Sequence, residues 1–305
     1  MSDEKKGYIS TIQLYSTKDG PGIRSTVFFM GCNLKCKWCS NPELLTPDVK
    51  YMHFEHKCIH CGACVEIASN HSITFAEKGC RIDRQMCSNL AECAEICPQN
   101  AYEKIGFEIS SEELVHKLMR DKEFYSVSNG GVTFSGGDSI LQGDFIVDVA
   151  QRLHAQGIHI ALDTAGNLCW EKMKVIVEHV DMVLYDIKAY AGEIHKICTA
   201  VDNTLILSNI KHISKMNKDI IIRMIIVPGF NDDMDDVYQR IVFIKSLGPS
   251  VKRVDILEYH NLGSGKYARL GIENPIQQII CNNYSLLEKV KKMACELGLN
   301  AAILQ

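Results

Sequence analysis

Nowhere does this chain carry a run approaching the ~18 consecutive apolar residues that a membrane-spanning helix needs. Its first ten residues, MSDEKKGYIS, are polar and lack the apolar stretch of a secretory signal. The protein is therefore expected to work in the cytoplasm. There is no excess of positive charge either. The formal net charge is -4, so no overall basic field favours nucleic acid. What remains is a chain of 305 residues, 46% hydrophobic and 23% charged, enough for a substantial core in one large domain or two smaller ones.

Cysteine is the exception to this ordinary composition. There are 14, and ten of them fall between Cys32 and Cys97. A secreted disulfide scaffold would be short and would carry a signal, so clustered cysteines here point to metal or iron–sulfur ligation. The other four, Cys169, Cys198, Cys281 and Cys295, stand singly and are expected to be small core residues. Within the cluster something is again missing. Residues 31–40 read GCNLKCKWCS and hold Cys32, Cys36 and Cys39 in a C-x3-C-x2-C spacing, with no fourth. A structural zinc site and an ordinary iron–sulfur cluster both take four ligands. Three thiolates so close together describe a metal site with one position left open.

Along the chain, residues 1–50 contain an apolar run, STVFFMGC, that reads as a strand entering this loop. Residues 51–105 are rich in Cys and His and poor in periodic patterns. Residues 106–305 alternate strand and helix signals. The further strands are GGVTFSGG, IHIALDT, DMVLYDIK, DIIIRMIIV and VKRVDILEY. Between them lie helical patterns, one with Phe145, Ile146, Val149, Ala150 and Leu153 on a single face. Others cover WEKMKVIVEHV, a long stretch from Glu193, VYQRIVFIKSLG and residues 275–297. Near-continuous apolar strands alternating with helices predict an α/β fold with a parallel sheet covered by helices. Six units are too few for a closed eight-stranded barrel, so an open, partial (β/α)6 barrel is expected. Its active site would lie at the C-terminal ends of the strands. Cys32, Gly136, Gly137, Asp163, Asp186, Lys188, Arg223 and His260 all fall there.

These features together resemble the radical S-adenosylmethionine (SAM) superfamily. Within it the chain resembles the glycyl radical enzyme activating enzymes, the group around pyruvate formate-lyase activating enzyme. The segments that carry the likeness are DGPGIRSTVFFMGCNLKCKWCSNPE, GGVTFSGGD, ALDTAG, YDIKAY, IIRMIIVPGFNDD and LEYHNLGSGKY. The resemblance implies a [4Fe-4S] cluster on Cys32, Cys36 and Cys39, with the open iron taking the amino and carboxylate groups of SAM. It places Trp38 near the adenine, and Gly136 and Gly137 where backbone approaches the SAM amino group. Asp186 and Lys188 would bind the methionine and ribose side, completed by Arg223 and His260. Asp163 and Thr164, with Asp186, would hold a monovalent cation, and Asp19 would lie near the partner's glycyl loop. One departure is visible: the group's usual Gly-Gly-Glu-Pro is Gly136-Gly137-Asp138-Ser139 here.

The second cysteine region resembles a two-cluster ferredoxin. CIHCGAC supplies Cys58, Cys61 and Cys64, and CSNLAECAEICP supplies Cys87, Cys93 and Cys97 followed by Pro98. In ferredoxins the last cysteine of one motif ligates the other cluster, which gives one complete set, Cys58, Cys61, Cys64 and Cys97. The other set has lost two positions, to Ala68 and Leu90, and keeps Cys87 and Cys93, with Cys80 as a spare. One auxiliary [4Fe-4S] cluster is expected, with a second, irregular one through Cys80, Cys87 and Cys93 as an open alternative. His53, His56, His60 and His71 keep a zinc knuckle in view. The expected organisation is thus a barrel in two parts, 1–50 and 106–305, around a ferredoxin-like insert at 51–105.

The function implied is activation of a partner enzyme. Reductive cleavage of SAM would give methionine and a 5'-deoxyadenosyl radical that takes the α-hydrogen of a glycine in the partner. A flavodoxin or ferredoxin would donate the electron, and the insert would relay it or dock the donor. Such an insert points to a dehydratase, decarboxylase or lyase as partner rather than pyruvate formate-lyase. A radical SAM maturase acting on a peptide or small molecule is the nearest alternative. A ferredoxin-like electron carrier fused to an inert barrel is the alternative of another class.

Overall fold

The computed structural model describes residues 4–76, 79–277 and 284–304. In chain order its strands are β1 Lys6–Ser16, β2 Arg24–Phe29, β3 Lys50–His53, β4 Ile73–Ala76, β5 Gly79–Ile82, β6 Tyr102–Ile105 and β7 Phe107–Ser110. They continue with β8 Gly131–Gly136, β9 His159–Thr164, β10 Met182–Asp186, β11 Asp219–Ile226, β12 Val251–Glu258 and β13 Ala301–Leu304. Nine strands form one sheet in the order β13-β12-β11-β10-β9-β8-β2-β1-β7. All pairings from β2 to β13 are parallel, and β1 is antiparallel to both β2 and β7. The sheet is open, with β7 and β13 as its edges.

The six strands expected from the sequence are β2 and β8 to β12, adjacent in space in the order of the chain. Their burial is nearly continuous along β2, β8 and β10, as a sheet covered on both faces requires. The helix Gly143–His154 buries the five residues expected on one face, Phe145, Ile146, Val149, Ala150 and Leu153. Three strands lie beyond the expected six. β1 alternates irregularly between buried and exposed positions and β7 and β13 have four residues each, so none shows a long apolar run.

Two helices differ from expectation. The stretch from Glu193 is two helices, Gly192–Thr199 and Thr204–Lys215, separated where Ala200 takes a left-handed φ of 67°. Asp202 accepts from the Thr204 amide at 2.9 Å and restarts the chain as a helix. The C-terminal helix runs Tyr284–Glu296; residues 275–277 are not helical, and the rest of the expected start lies outside the described residues. Of the four single cysteines only Cys198 is buried; Cys169 and Cys295 are exposed, and Cys281 lies outside the described residues. No described helix is long and apolar enough to cross a membrane.

A buried cation ties the N-terminal loop to this sheet. Arg24 is fully buried. It donates from Nε to Thr133 Oγ1 at 2.6 Å, and from its terminal nitrogens to the carbonyls of Pro21 at 3.2 Å and Val132 at 2.5 Å. Burial pulls its pKa down to about 10. Residues 54–101 lie between β3 and β6, which pair antiparallel as a separate two-stranded sheet. They fold as the β4–β5 hairpin with two short helices, Ala63–Ile67 and Leu90–Glu95, around Cys64, Ala68, Ile73, Cys93 and Tyr102.

Candidate active site

Strand register sets the rim of the site. Phe29 pairs with Gly136, Tyr185 with Thr164, and Asp186 with Arg223, so the loops after β2, β8, β9 and β10 emerge side by side. Arg223 is not at a strand end as expected. It is the fifth residue of the eight in β11 and reaches into the barrel level with Asp186.

The cysteine loop is fixed by backbone bonds from both sides. Gly31 and Cys32 amides donate to the Leu44 and Leu45 carbonyls, at 2.8 and 3.2 Å. Lys35 and Lys37 amides donate to Thr199 and Cys198 carbonyls, at 2.8 and 2.9 Å, so the helix break at Ala200 is where the loop docks. Trp38 is buried and meets Phe230 edge-on, beside Cys198, Val227 and Tyr259.

A cavity of about 430 Å³ opens over this loop, within the usual range for a small-molecule site. Cys32, Cys36, Trp38, Cys39, Gly136, Gly137, Asp163, Thr164, Asp186, Lys188, Arg223, His260 and Asp19 all line it, joined by Lys18 and Ser135. The site residues picked out from separate strands and loops therefore share one chamber.

Inside it the charges are opposed in pairs. Lys188 Nζ donates to Asp186 Oδ2 at 2.6 Å. Arg223 donates to Asp163 Oδ2 at 2.9 Å, to Asp19 Oδ1 at 3.1 Å and to the Lys18 carbonyl at 2.7 Å. Hydroxyls finish the network: Ser135 donates to Asp163 at 2.7 Å and Thr26 to Asp19 at 2.8 Å, while Thr133 donates to the Asp19 carbonyl at 2.7 Å. The sequence reading missed Ser135, Thr26 and Thr133. For two of them the signal is alternation, since Thr133 and Ser135 are the polar positions of GVTFSG on either side of Phe134.

Burial pushes the Asp163 carboxyl up to about 6, against the pull of Arg223, whose own pKa is driven up by Asp163 and Asp19 despite its burial. Burial disfavours the carboxylate, and the guanidinium 2.9 Å away opposes that rise. Lys188 is likewise raised, with Asp186 outweighing burial. Burial pushes the Cys32 and Cys36 thiols up to about 12 and Cys39 up to about 11, with Lys188 pulling the other way on all three. Metal ligation at these thiols must therefore release protons. Three thiols, the only ones among the described residues to line the chamber, a paired set of opposed charges and a chamber of this size fit a cluster with one open iron and a zwitterionic ligand.

Two of the expected sites have further local constraints. Gly136 and Gly137 do line the chamber, but their need for glycine comes from the protein itself. A Cβ on Gly136 would collide with the Phe29 backbone, and one on Gly137 with the Gly31 and Leu44 carbonyls. Asp138, at the departure from the family pattern, is fully enclosed; it accepts from Thr164 Oγ1 at 2.7 Å and from the Ala165 amide at 3.1 Å. Thr164, Asp163 and Asp186 are thus each engaged already, and a monovalent cation there would compete with Arg223 and Lys188.

In the smaller lobe, Cys58, Cys61, Cys64 and Cys97 line one small cavity together with Phe75 and Tyr102. The remaining three thiols do not form a group. Cys93 lies with Cys87, whereas Cys80 faces Cys64, Cys58 and the Tyr102 hydroxyl. His53 packs at a tilt against Tyr102, His56 packs on Phe54 and His60 pairs with Glu55 at 2.6 Å, while His71 is exposed at the end of the short 3-10 helix Ser69–His71. Among the described residues no three His, Cys, Asp or Glu side chains are placed to hold a single metal ion.

Comparison with known proteins agrees with this geometry. The profile of the radical SAM superfamily matches residues 26–241. The (2S)-3-sulfopropanediol dehydratase activating enzyme of Klebsiella oxytoca is 33% identical over 300 residues, covering 96% of this chain and 95% of that protein. The 4-hydroxyphenylacetate decarboxylase activating enzyme of Clostridium scatologenes is 36% identical over 278 residues, 88% of each chain. Among solved structures, a radical SAM methyltransferase from Sphaerobacter thermophilus shares the fold with a TM-score of 0.55 at 10% identity, covering 97% of this chain and 76% of that one.

Proposed function

Because this chain belongs to the radical SAM superfamily, and within it to the glycyl radical enzyme activating enzymes, we propose that it installs a glycyl radical in a partner protein in the cytoplasm. The carrying observation is the single chamber that joins Cys32, Cys36 and Cys39 to the Asp186–Lys188 and Asp163–Arg223 pairs. The cluster and SAM together supply the chemistry: a low-potential electron splits the sulfonium into methionine and a 5'-deoxyadenosyl radical, which removes a glycine α-hydrogen.

The protein's part is ligation, orientation and exclusion of water. Cys32, Cys36 and Cys39 hold the cluster. Lys188 and Arg223 offer cationic groups to a carboxylate, and Asp186 an anionic one to an ammonium, so a zwitterion meets both signs. Trp38, braced by Phe230, forms a flat apolar wall suited to the adenine side. His260, just past β12 at the mouth, completes the SAM pocket. Asp19 is held towards the chamber by Arg223 and Thr26, where an incoming glycine loop would meet it.

Residues 51–105 act as a ferredoxin-like insert between barrel segments 1–50 and 106–305. The cavity shared by Cys58, Cys61, Cys64 and Cys97 supports one auxiliary [4Fe-4S] cluster there. A second cluster would need Cys80, Cys87 and Cys93 to regroup, and the placement of Cys80 beside Cys64 speaks against it. The insert receives electrons from a flavodoxin or ferredoxin. The partner is a dehydratase, a decarboxylase or a carbon–carbon or carbon–nitrogen lyase rather than pyruvate formate-lyase.

The test is anaerobic reconstitution with iron, sulfide, dithionite and SAM. Release of 5'-deoxyadenosine, and a glycyl radical signal by electron paramagnetic resonance when a cognate dehydratase or decarboxylase is added, are the expected results. Release of 5'-deoxyadenosine without a radical on any such partner would move the reading to a maturase.

A further inference from the structure

The seven-residue helix Ser264–Leu270 joins two regions that are far apart in the chain. On one side it holds the loop that follows Cys39. Lys266 Nζ donates to Asn41 Oδ1 at 2.7 Å and to Glu43 Oε1 at 2.6 Å, and the Tyr267 hydroxyl donates to the Cys39 carbonyl at 3.1 Å. Gly263, just before the helix, lies so close that a Cβ there would sit 2.8 Å from Ser40 Cα. Glu43 is buried, so its carboxylate depends on Lys266 for a partner.

On the other side the same helix meets the insert. Arg84 spans the gap, donating from Nη1 to the Tyr51 carbonyl at 2.6 Å and from Nη2 to the Arg269 carbonyl at 2.9 Å. The Arg269 guanidinium lies 4.5 Å over the Phe54 ring. Tyr267 and Leu270 are buried but belong to no part of the main barrel core. Contacts with the cysteine loop and with the insert therefore account for the polar bonding of this helix on both sides.

We propose that this helix is a mechanical link from the insert to the catalytic cysteine loop. Lys266 and Tyr267 are positioning residues for Cys39, and Arg84 is the clamp on the insert side. The proposal rests on reading Cys32, Cys36 and Cys39 as the SAM-cleaving site. A shift of the insert then moves the Arg269 end of the helix and, through Lys266 and Tyr267, the carbonyl of a cluster ligand. The coupling is one of geometry, separate from any passage of electrons.

The experiment compares reconstituted full-length protein as wild type, Lys266→Met, Tyr267→Phe, Arg84→Ala and Arg84→Lys. It reads iron content, SAM affinity, and the change SAM causes in the paramagnetic resonance spectrum of the reduced catalytic cluster. Expected are unchanged iron content and about tenfold weaker SAM binding with an altered spectrum for Lys266→Met and Tyr267→Phe. Arg84→Ala, which touches neither SAM nor the cysteine loop, is expected to shift both readouts in the same sense by about threefold, with Arg84→Lys in between. Wild-type values for Arg84→Ala, or for Lys266→Met, overturn the proposal. Should Arg84→Ala lose iron, Phe54→Leu removes the Arg269 contact in its place and is judged by the same criterion. Failure of the wild type itself to bind SAM would instead sink the functional reading underneath.

Discussion

Arg223 and Asp163, both largely buried in the chamber wall, face each other at 2.9 Å, and Arg223 holds Asp19 with its other terminal nitrogen at 3.1 Å. One guanidinium thus serves two carboxylates from opposite sides of the site. Replacing it, as in Arg223→Met, strands both. Loss of one partner from a buried pair costs about 3–5 kcal/mol. The variant should melt well below the wild type, and its 5'-deoxyadenosine release should fall by at least about a hundredfold. Arg223→Lys keeps the charge but cannot fork, so it should recover stability more than activity.

The two cysteine sets should separate cleanly. Cys36→Ala should lose about four iron atoms and all SAM cleavage, while the auxiliary iron stays. Cys64→Ala should lose the auxiliary iron yet still cleave SAM when dithionite supplies the electron. Equal iron loss in the two variants with activity lost in both would contradict a division of labour between barrel and insert.

Asp138 gives a pH signature. Burial pushes its carboxyl up to about 7, against about 3.9 in an unfolded chain. The folded state therefore binds the extra proton, and its share of stability is lost as pH rises from about 4 to about 7. Asp138→Asn should flatten this part of the pH profile of denaturant unfolding in the metal-free protein. At pH 8 it should also cost about 1 kcal/mol, because Thr164 and the Ala165 amide donate to different carboxylate oxygens and the amide nitrogen that replaces one of them cannot accept. A wild-type profile that does not differ in slope from the variant's would refute the assignment.

Arg24 is a cation buried within the fold itself. Arg24→Met keeps much of the volume but leaves the Pro21 and Val132 carbonyls and Thr133 without their donor. A loss of about 3 kcal/mol is expected, read as an earlier midpoint in denaturant with an unchanged slope.

The barrel was legible because its strands are long apolar runs closed by glycine or a charged residue, as in GGVTFSGG and DMVLYDIK. The rim residues were legible for the same reason: Asp186 and Gly136 end their strands. What holds those residues in place was not. Ser135, Thr26 and Thr133 are ordinary hydroxyls until the register turns them towards Asp163 and Asp19. The break at Ala200 was hidden because a non-glycine residue takes the left-handed turn, and the cysteine loop docks at that point. Cys80 could be counted from sequence, but its placement beside Cys64 depends on the β4–β5 hairpin, where it pairs with Phe75. The role of helix Ser264–Leu270 needed three dimensions altogether, because Lys266 and Glu43 are 223 positions apart.

The β3–β6 ladder has a consequence for how such a protein is assembled. His53 pairs with Tyr102, so the chain leaves the barrel and returns to it at adjacent points, and one glycine later it enters the sheet as β7. Everything between is a cassette hung on a two-strand stem. A tight turn such as Asn-Gly could close that stem in its place, and a cassette of another length could be grafted there without changing the barrel's register. The same barrel could in this way carry different cassettes, each of which would have to replace the Arg84 and Phe54 contacts with helix Ser264–Leu270.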